Sequence, residues 1–232
     1  MRLFHGMSDK HSEKRARRAS KRAKLHSQRI EYLLDNTTPF AITEAFRNLK
    51  AALSVSVPKR DGGVVIMTTS SYPRDGKTTV TANLALMFAI SNAKVVIVDA
   101  DIRKGRVARY FKGKNTPGLS DYLSGQNSLD EVIRETETDK NLSYIPCGTH
   151  SPKPYELLES EAMKSLINEL RTRYDYVIID TPPVLLLSDA LALVPAIDGT
   201  VLVCRHQVSY ISDIAAHSTP CRLQKRTCSA SS

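Results

Sequence analysis

Val64-Val65-Ile66-Met67-Thr68-Thr69-Ser70-Ser71-Tyr72-Pro73-Arg74-Asp75-Gly76-Lys77-Thr78-Thr79 is the stretch that decides the fold. Its first six residues are an apolar, β-branched run. Its last four open a helical pattern, and nothing but a tight polar loop lies between. A strand, a short loop and Gly-Lys-Thr at a helix start form the context that a phosphate-binding loop requires. There the helix N-terminal N–H groups and dipole favour an anion. Lys77 is expected to neutralise β/γ-phosphates and the Thr78 hydroxyl to ligate Mg²⁺. Ser71 stands where the usual pattern has its first glycine, so the loop is a variant.

Outward from this loop, strand and helix patterns alternate. Strands are expected at Val64–Thr69, Val95–Asp99, Leu142–Pro146, Tyr176–Asp180 and Thr200–Cys204. Three contain nearly continuous Val/Ile runs, as suits strands buried on both faces of a parallel sheet. The spacers are long enough for helical crossovers. Thr78–Asn92 reads as the clearest helix, with Val80, Leu84, Met87 and Phe88 on one face. A second helix has Phe46, Leu49, Leu53 and Val57 at three- and four-residue spacing. Thr43 is its expected N-cap, and Pro58 with Gly62-Gly63 ends it. The fold class is α/β, a doubly wound, mainly parallel sheet flanked by helices.

Two more strands end in acids. Val95–Val98 runs into Asp99-Ala100-Asp101-Ile102-Arg103, and residues i and i+2 of a strand share a face. Asp99 and Asp101 can therefore address one ligand at the carboxyl edge, where open α/β sheets bind. Two acids ending an apolar strand are costly to bury unless they are used or solvated. The plainer reading makes Arg103 merely their ion-pair partner. Val177-Ile178-Ile179-Asp180 is followed by Thr181-Pro182-Pro183, an apolar strand ending in an aspartate suited to Mg²⁺.

Of 232 residues, 41% are hydrophobic and 25% charged, enough for one α/β core. The longest apolar run is Leu84–Ile90, far short of the ~20 residues of a membrane helix. No basic n-region followed by an apolar h-region suggests secretion. The net charge of +9 is concentrated in residues 1–30, with ten Lys/Arg against two Asp/Glu. Residues 31–232 carry a net of only +1. The arm lacks the apolar content to fold alone and reads as disordered, or as a helix formed on binding. It is a solubilising tail or a contact to anionic lipid. Absent interleaved aromatics argue against nucleic acid. Cys147, Cys204, Cys221 and Cys228 make no C-x-x-C pair and read as reduced thiols, the first two in strand-like segments. The scattered histidines offer no structural metal site.

The three motifs in this order resemble the bacterial tyrosine kinases of capsular and exopolysaccharide synthesis, P-loop proteins related to MinD/ParA-type ATPases. The resemblance covers about residues 40–214. It rests on the loop with Pro73 and Gly76-Lys77-Thr78-Thr79, on Asp99-x-Asp101-x-Arg103, and on Asp180-Thr181-Pro182-Pro183. Gly118–Gly125 and Pro152–Leu158 support it. The resemblance implies ATP and Mg²⁺ as cofactors, with Ser71, Pro73, Asp75, Gly76, Lys77, Thr78, Thr79 and Arg103 around the nucleotide. Thr78, Asp101 and Asp180 would hold the metal. Lys77, Asp99 and Asp101 would be catalytic, with Asp99 activating the acceptor tyrosine.

The family's E-x-x-R-x-x-R helix, used in self-assembly, matches Glu44, Arg47 and Lys50, with lysine last. An intrahelical Glu44–Arg47 pair is the competing reading. The implied partners are a transmembrane polysaccharide co-polymerase or adaptor and further copies of the chain. The implied place is the cytoplasmic face of the plasma membrane.

The expected layout is a basic arm at 1–34, a kinase domain at 35–214 and an atypical tail at 215–232. The family's terminal tyrosine cluster has no counterpart after Tyr210, and Pro220 interrupts the expected amphipathic helix. The tail reads as a truncation or altered frame, leaving a sheet edge uncovered. Two other functions compete. A MinD/ParA-type ATPase would carry a lysine where Tyr72 stands. A nucleotide-binding module without kinase activity would not need the intact acids.

Overall fold

The computed structural model describes residues 32–57 and 62–205. The expected basic arm, apart from its last residues, and the tail lie outside these. The chain divides into one unit of Met1–Tyr32 and another of Leu33–Ser232, and the second holds everything described below.

Six strands form one sheet: β1 (Val64–Ser70), β2 (Val95–Asp99), β3 (Arg134–Glu135), β4 (Leu142–Ile145), β5 (Tyr176–Asp180) and β6 (Gly199–Val203). Their order is β3-β4-β2-β5-β1-β6. All pairs are parallel except β3 with β4. The five expected strands are present within a residue at their ends. The two-residue β3, too short and too charged to carry a pattern, is added at the edge.

Alternation along the buried strands builds two cores. Val65, Met67, Val96, Val98, Val177 and Ile179 face a layer with Met163, Leu166 and Leu170 from helix Glu161–Arg173. Ile66, Val95, Ile97 and Ile178 face the other way, against Leu84 and Phe88. Those two belong to α2 (Lys77–Ala89), which follows the phosphate loop. The single apolar face expected for α2 is corrected: Thr81–Ala89 are all buried and Val80 is half-buried. The cause is α1 (Phe40–Ser56), whose Leu49 and Leu53 cover the side of α2 away from the sheet. Thr43 is not the N-cap of α1. The helix starts four residues earlier, at Phe40 after Pro39, whose φ of −53° already suits a helix start. It ends at Ser56, as expected.

The strand order has one consequence for function. β5 lies between β1 and β2, so the three motif-bearing strand ends are neighbours along one sheet edge.

Candidate active site

Gly76 caps α2 with φ 98°, a left-handed conformation that glycine adopts without strain. Arg74 also has positive φ, 74°. The loop keeps this shape through Asp75, whose Oδ2 accepts the Tyr72 N–H at 3.0 Å. Ser70 donates its hydroxyl to the Tyr72 carbonyl at 2.8 Å. The Val80 N–H reaches Gly76 O at 3.0 Å. The N–H groups of Lys77, Thr78 and Thr79 precede that bond and have no acceptor within the helix. Ser71 occupies a fully buried place in the loop, and its Oγ has no hydrogen-bond partner among the described residues. Pro73 is exposed at the loop crest.

Lys77 and three aspartates form one cluster. The Lys77 Nζ lies 3.2 Å from Asp101 Oδ2 and 3.8 Å from Asp180 Oδ2. Thr78 donates to Asp180 Oδ2 at 2.7 Å, and Thr81 donates to Asp180 Oδ1 at 3.1 Å. Asp99 is fully buried. Its Oδ1 accepts the Asp101 N–H at 3.2 Å and its Oδ2 the Val107 N–H at 2.9 Å. Asp101 Oδ1 accepts the Lys104 N–H at 3.1 Å. Asp101 thus faces the lysine, while Asp99 shapes the loop behind it.

The electrostatics follow from burial. Desolvation pushes the Asp99 carboxyl well above its ordinary value, and the Asp180 charge pushes it further. Asp180 is also raised by burial, with Lys77 and Thr78 pulling the other way. Burial alone would lower Lys77, but Asp180, Asp101 and Asp99 outweigh it and raise the ammonium. Three acids against one ammonium leave this pocket short of positive charge.

A metal nucleotide fits these residues. The donors facing the cluster are hard oxygens, two carboxylates and a hydroxyl, as Mg²⁺ prefers. Among the described residues no three acid, histidine or cysteine side chains form a complete metal cage. That also suits Mg²⁺, which keeps waters and substrate phosphates among its ligands. The N–H groups of Lys77, Thr78 and Thr79, which have no acceptor within the helix, and the Ser71 hydroxyl, which has no partner among the described residues, offer donors to an anion beside it.

Other expected site residues are placed differently. Arg103 pairs with neither Asp99 nor Asp101. Its Nε donates to Asp189 Oδ2 at 2.8 Å, and Asp189 is buried in the 3₁₀ helix Ser188–Ala196. Thr79 shares a 2.7 Å hydrogen bond with Tyr110 Oη. On α1, Arg47 pairs with Glu44 within the helix, both partly exposed, while Lys50 reaches Ser91 Oγ instead. Cys147 and Cys204 lie just beyond their strands, Cys147 buried and Cys204 exposed. Burial, then the charges of Asp99 and Asp101, push the Cys147 thiol up to about 12.

Thr81, Gly105 and Asp189 belong to the site but to none of the three sequence motifs. A Cβ on Gly105 would collide with Cys147 and come within 2.9 Å of Asp99 Oδ2. Thr81 could have been found, since i+4 from Lys77 on a helix faces the same strand end. Asp189 could not, because its partner is 86 residues away.

The sequence matches the AAA domain over residues 74–212. The tyrosine-protein kinase YwqD of Bacillus subtilis is 42% identical over 162 residues, 69% of this chain and 67% of that protein. The solved BceF tyrosine kinase domain superposes with a TM-score of 0.75 at 35% identity, covering 88% of this chain and 82% of that one. The kinase domain of the Escherichia coli tyrosine kinase ETK does so at 0.74 and 30% identity, covering 84% and 79%. A likeness to MinD of Pyrococcus horikoshii, at 24% identity, covers 69% of this chain and 66% of that one with a TM-score of 0.58, and extends to the fold alone. The chain spans about a quarter of the length of the first curated relatives it matches.

Proposed function

The chain belongs to the family of bacterial tyrosine-protein kinases, and from that premise we propose that it transfers the γ-phosphoryl group of ATP to protein tyrosine hydroxyls. The observation that carries this reading is the convergence of Lys77, Thr78, Asp101 and Asp180 on one strand edge. When bound there, Mg²⁺-ATP would supply the transferable phosphoryl group, the metal offsetting its charge. Lys77, now shared by two carboxylates, neutralises phosphate oxygens. Thr78 and Asp180, joined by their hydrogen bond, would hold the metal together with Asp101. Asp99 takes the tyrosine proton. Its raised proton affinity suits a base, and the 101–107 loop has to release its oxygens for this step.

The same premise supports a role in capsular or exopolysaccharide synthesis, with a transmembrane co-polymerase or adaptor as activating partner. Copies of the chain would meet through Glu44, Arg47 and Lys50 on α1, a helix with no fully buried residue. No helix among the described residues is long and apolar enough to cross a membrane. The proposed place is peripheral, at the inner face of the plasma membrane, with the basic arm on anionic lipid. The MinD/ParA alternative loses ground at Tyr72, where that group's lysine would stand.

The test incubates the full chain with Mg²⁺-ATP and a tyrosine-rich polypeptide, with and without an adaptor's cytoplasmic segment. Phosphotyrosine that disappears in Lys77→Met supports the kinase. Phosphate released to water without phosphotyrosine overturns it.

A further inference from the structure

Six Lys/Arg and no Asp/Glu lie between Ile102 and Ser120, directly after the metal-facing Asp101. Arg103 is consumed by Asp189. Among the described residues, Lys104, Arg106, Lys112 and Lys114 have no acidic side chain within ion-pairing distance. Lys104, Lys112 and Lys114 are exposed and Arg106 is half-buried. This stretch holds a concentrated positive field in a body whose remaining residues from 31 onward carry an excess of acids, 22 Asp/Glu against 17 Lys/Arg.

The charges stand on a braced frame. Gly105 is pressed against Cys147, and a side chain at Gly113 would collide with Tyr144 Oη. Arg134 donates to the carbonyls of Lys114, Thr116 and Pro117 at 2.6, 2.8 and 2.9 Å. Gly148 N–H closes on Asn115 O at 2.9 Å. Lys112 is held at φ 53°. The frame also reaches the chemistry, since the Val107 N–H bonds Asp99.

We propose that this basic loop docks an acidic protein segment carrying the acceptor tyrosine. The inference rests on the kinase reading and adds its substrate class. Any acceptor must approach an edge where a bound triphosphate would present negative charge beside Asp101. An acidic segment is repelled there unless a fixed cationic surface alongside captures it, and complementary charge also accelerates encounter. A lipid surface fits less well. The apolar residues of the stretch, Ile102 and Val107, are buried and Phe111 is half-buried, so no apolar anchor is offered.

Two readouts on the full chain test this. Phosphorylation of a random Glu–Tyr copolymer is compared with that of a neutral Ser–Tyr peptide, in wild type and in Lys104→Gln/Lys112→Gln/Lys114→Gln. The variant is expected to raise KM for the copolymer by about fivefold to tenfold, with kcat and the neutral peptide unaffected. Independently, anisotropy of a labelled Glu–Phe peptide, which cannot be phosphorylated, should report binding that weakens with salt and in the variant. That signal stands even if no phosphotyrosine forms, which separates failure of docking from failure of the kinase reading. Equal peptide binding by variant and wild type overturns the proposal. So does a loss confined to phosphatidylserine vesicles, with peptide binding intact.

Discussion

Asp99 and Asp180 are register partners at the ends of the adjacent parallel strands β2 and β5, and both are completely buried. Neighbours in a parallel pair project to the same face, so the two carboxyls leave the sheet side by side, Asp180 bonded to Thr78 and Thr81 of α2 and Asp99 to the N–H groups of Asp101 and Val107. The sheet thereby stores an electrostatic demand that Lys77 meets in part and that a divalent cation would meet further.

That demand sets a pH dependence. Asp99 and Asp180 have folded pKa values above the ordinary 3.8. The folded state therefore holds protons that the unfolded state has lost, and their contribution to stability falls as pH rises from about 4 upward. A metal nucleotide favours the ionised acids. Its binding should release protons, read by calorimetry in buffers of different ionisation enthalpy. The thermal stabilisation by Mg²⁺-ADP should also grow with pH over the range in which these acids lose their protons. Proton uptake on binding would contradict this.

Thr78→Val keeps the volume of the side chain but removes the donor to Asp180. We expect a loss of about 10–100-fold in Mg²⁺-nucleotide affinity, the usual scale for a metal-site hydrogen-bond partner. Thr81→Val, which removes only the longer bond to the other oxygen, should cost less. The check is titration with a fluorescent ADP analogue, with circular dichroism confirming the fold.

Much of this arrangement is legible in the sequence. Continuous Val/Ile runs ending in acids can be little else than central parallel strands, and Gly76-Lys77-Thr78 opens its helix as expected. What stayed hidden depends on tertiary context. The all-round burial of α2 comes from α1 lying over it. The start of α1 depends on Pro39, whereas threonine at position 43 only looked like a cap. The Arg103–Asp189 pair joins segments that no local pattern relates. The split between Asp99 and Asp101, one sealed and one facing Lys77, depends on where the strand ends.

Gly105→Ala drives a methyl group into Cys147 and toward Asp99. Overpacking of this kind costs about 1–3 kcal/mol. Chemical denaturation should show that loss, with phosphoryl transfer falling more than nucleotide affinity because Asp99 is displaced. Cys147→Ala should not rescue it, since the Cys147 Cβ itself stands in the way. Cys147→Gly should rescue it in part.

Arg103 and Asp189 differ in exposure, with side chains 39% and 3% accessible. Removing the arginine strands a buried carboxylate, whereas removing the aspartate leaves a guanidinium that water can solvate. Arg103→Ala should therefore destabilise by about 2 kcal/mol and Asp189→Ala by about 1 kcal/mol or less. Urea midpoints of the two variants measure the order, and the reverse order would contradict this account.

The most direct measurement is titration of Mg²⁺-ATP into the full chain beside Lys77→Met. The account predicts one saturable site per chain, weakened by at least about tenfold when the ammonium is lost. Undiminished binding by Lys77→Met would place the nucleotide elsewhere and contradict it.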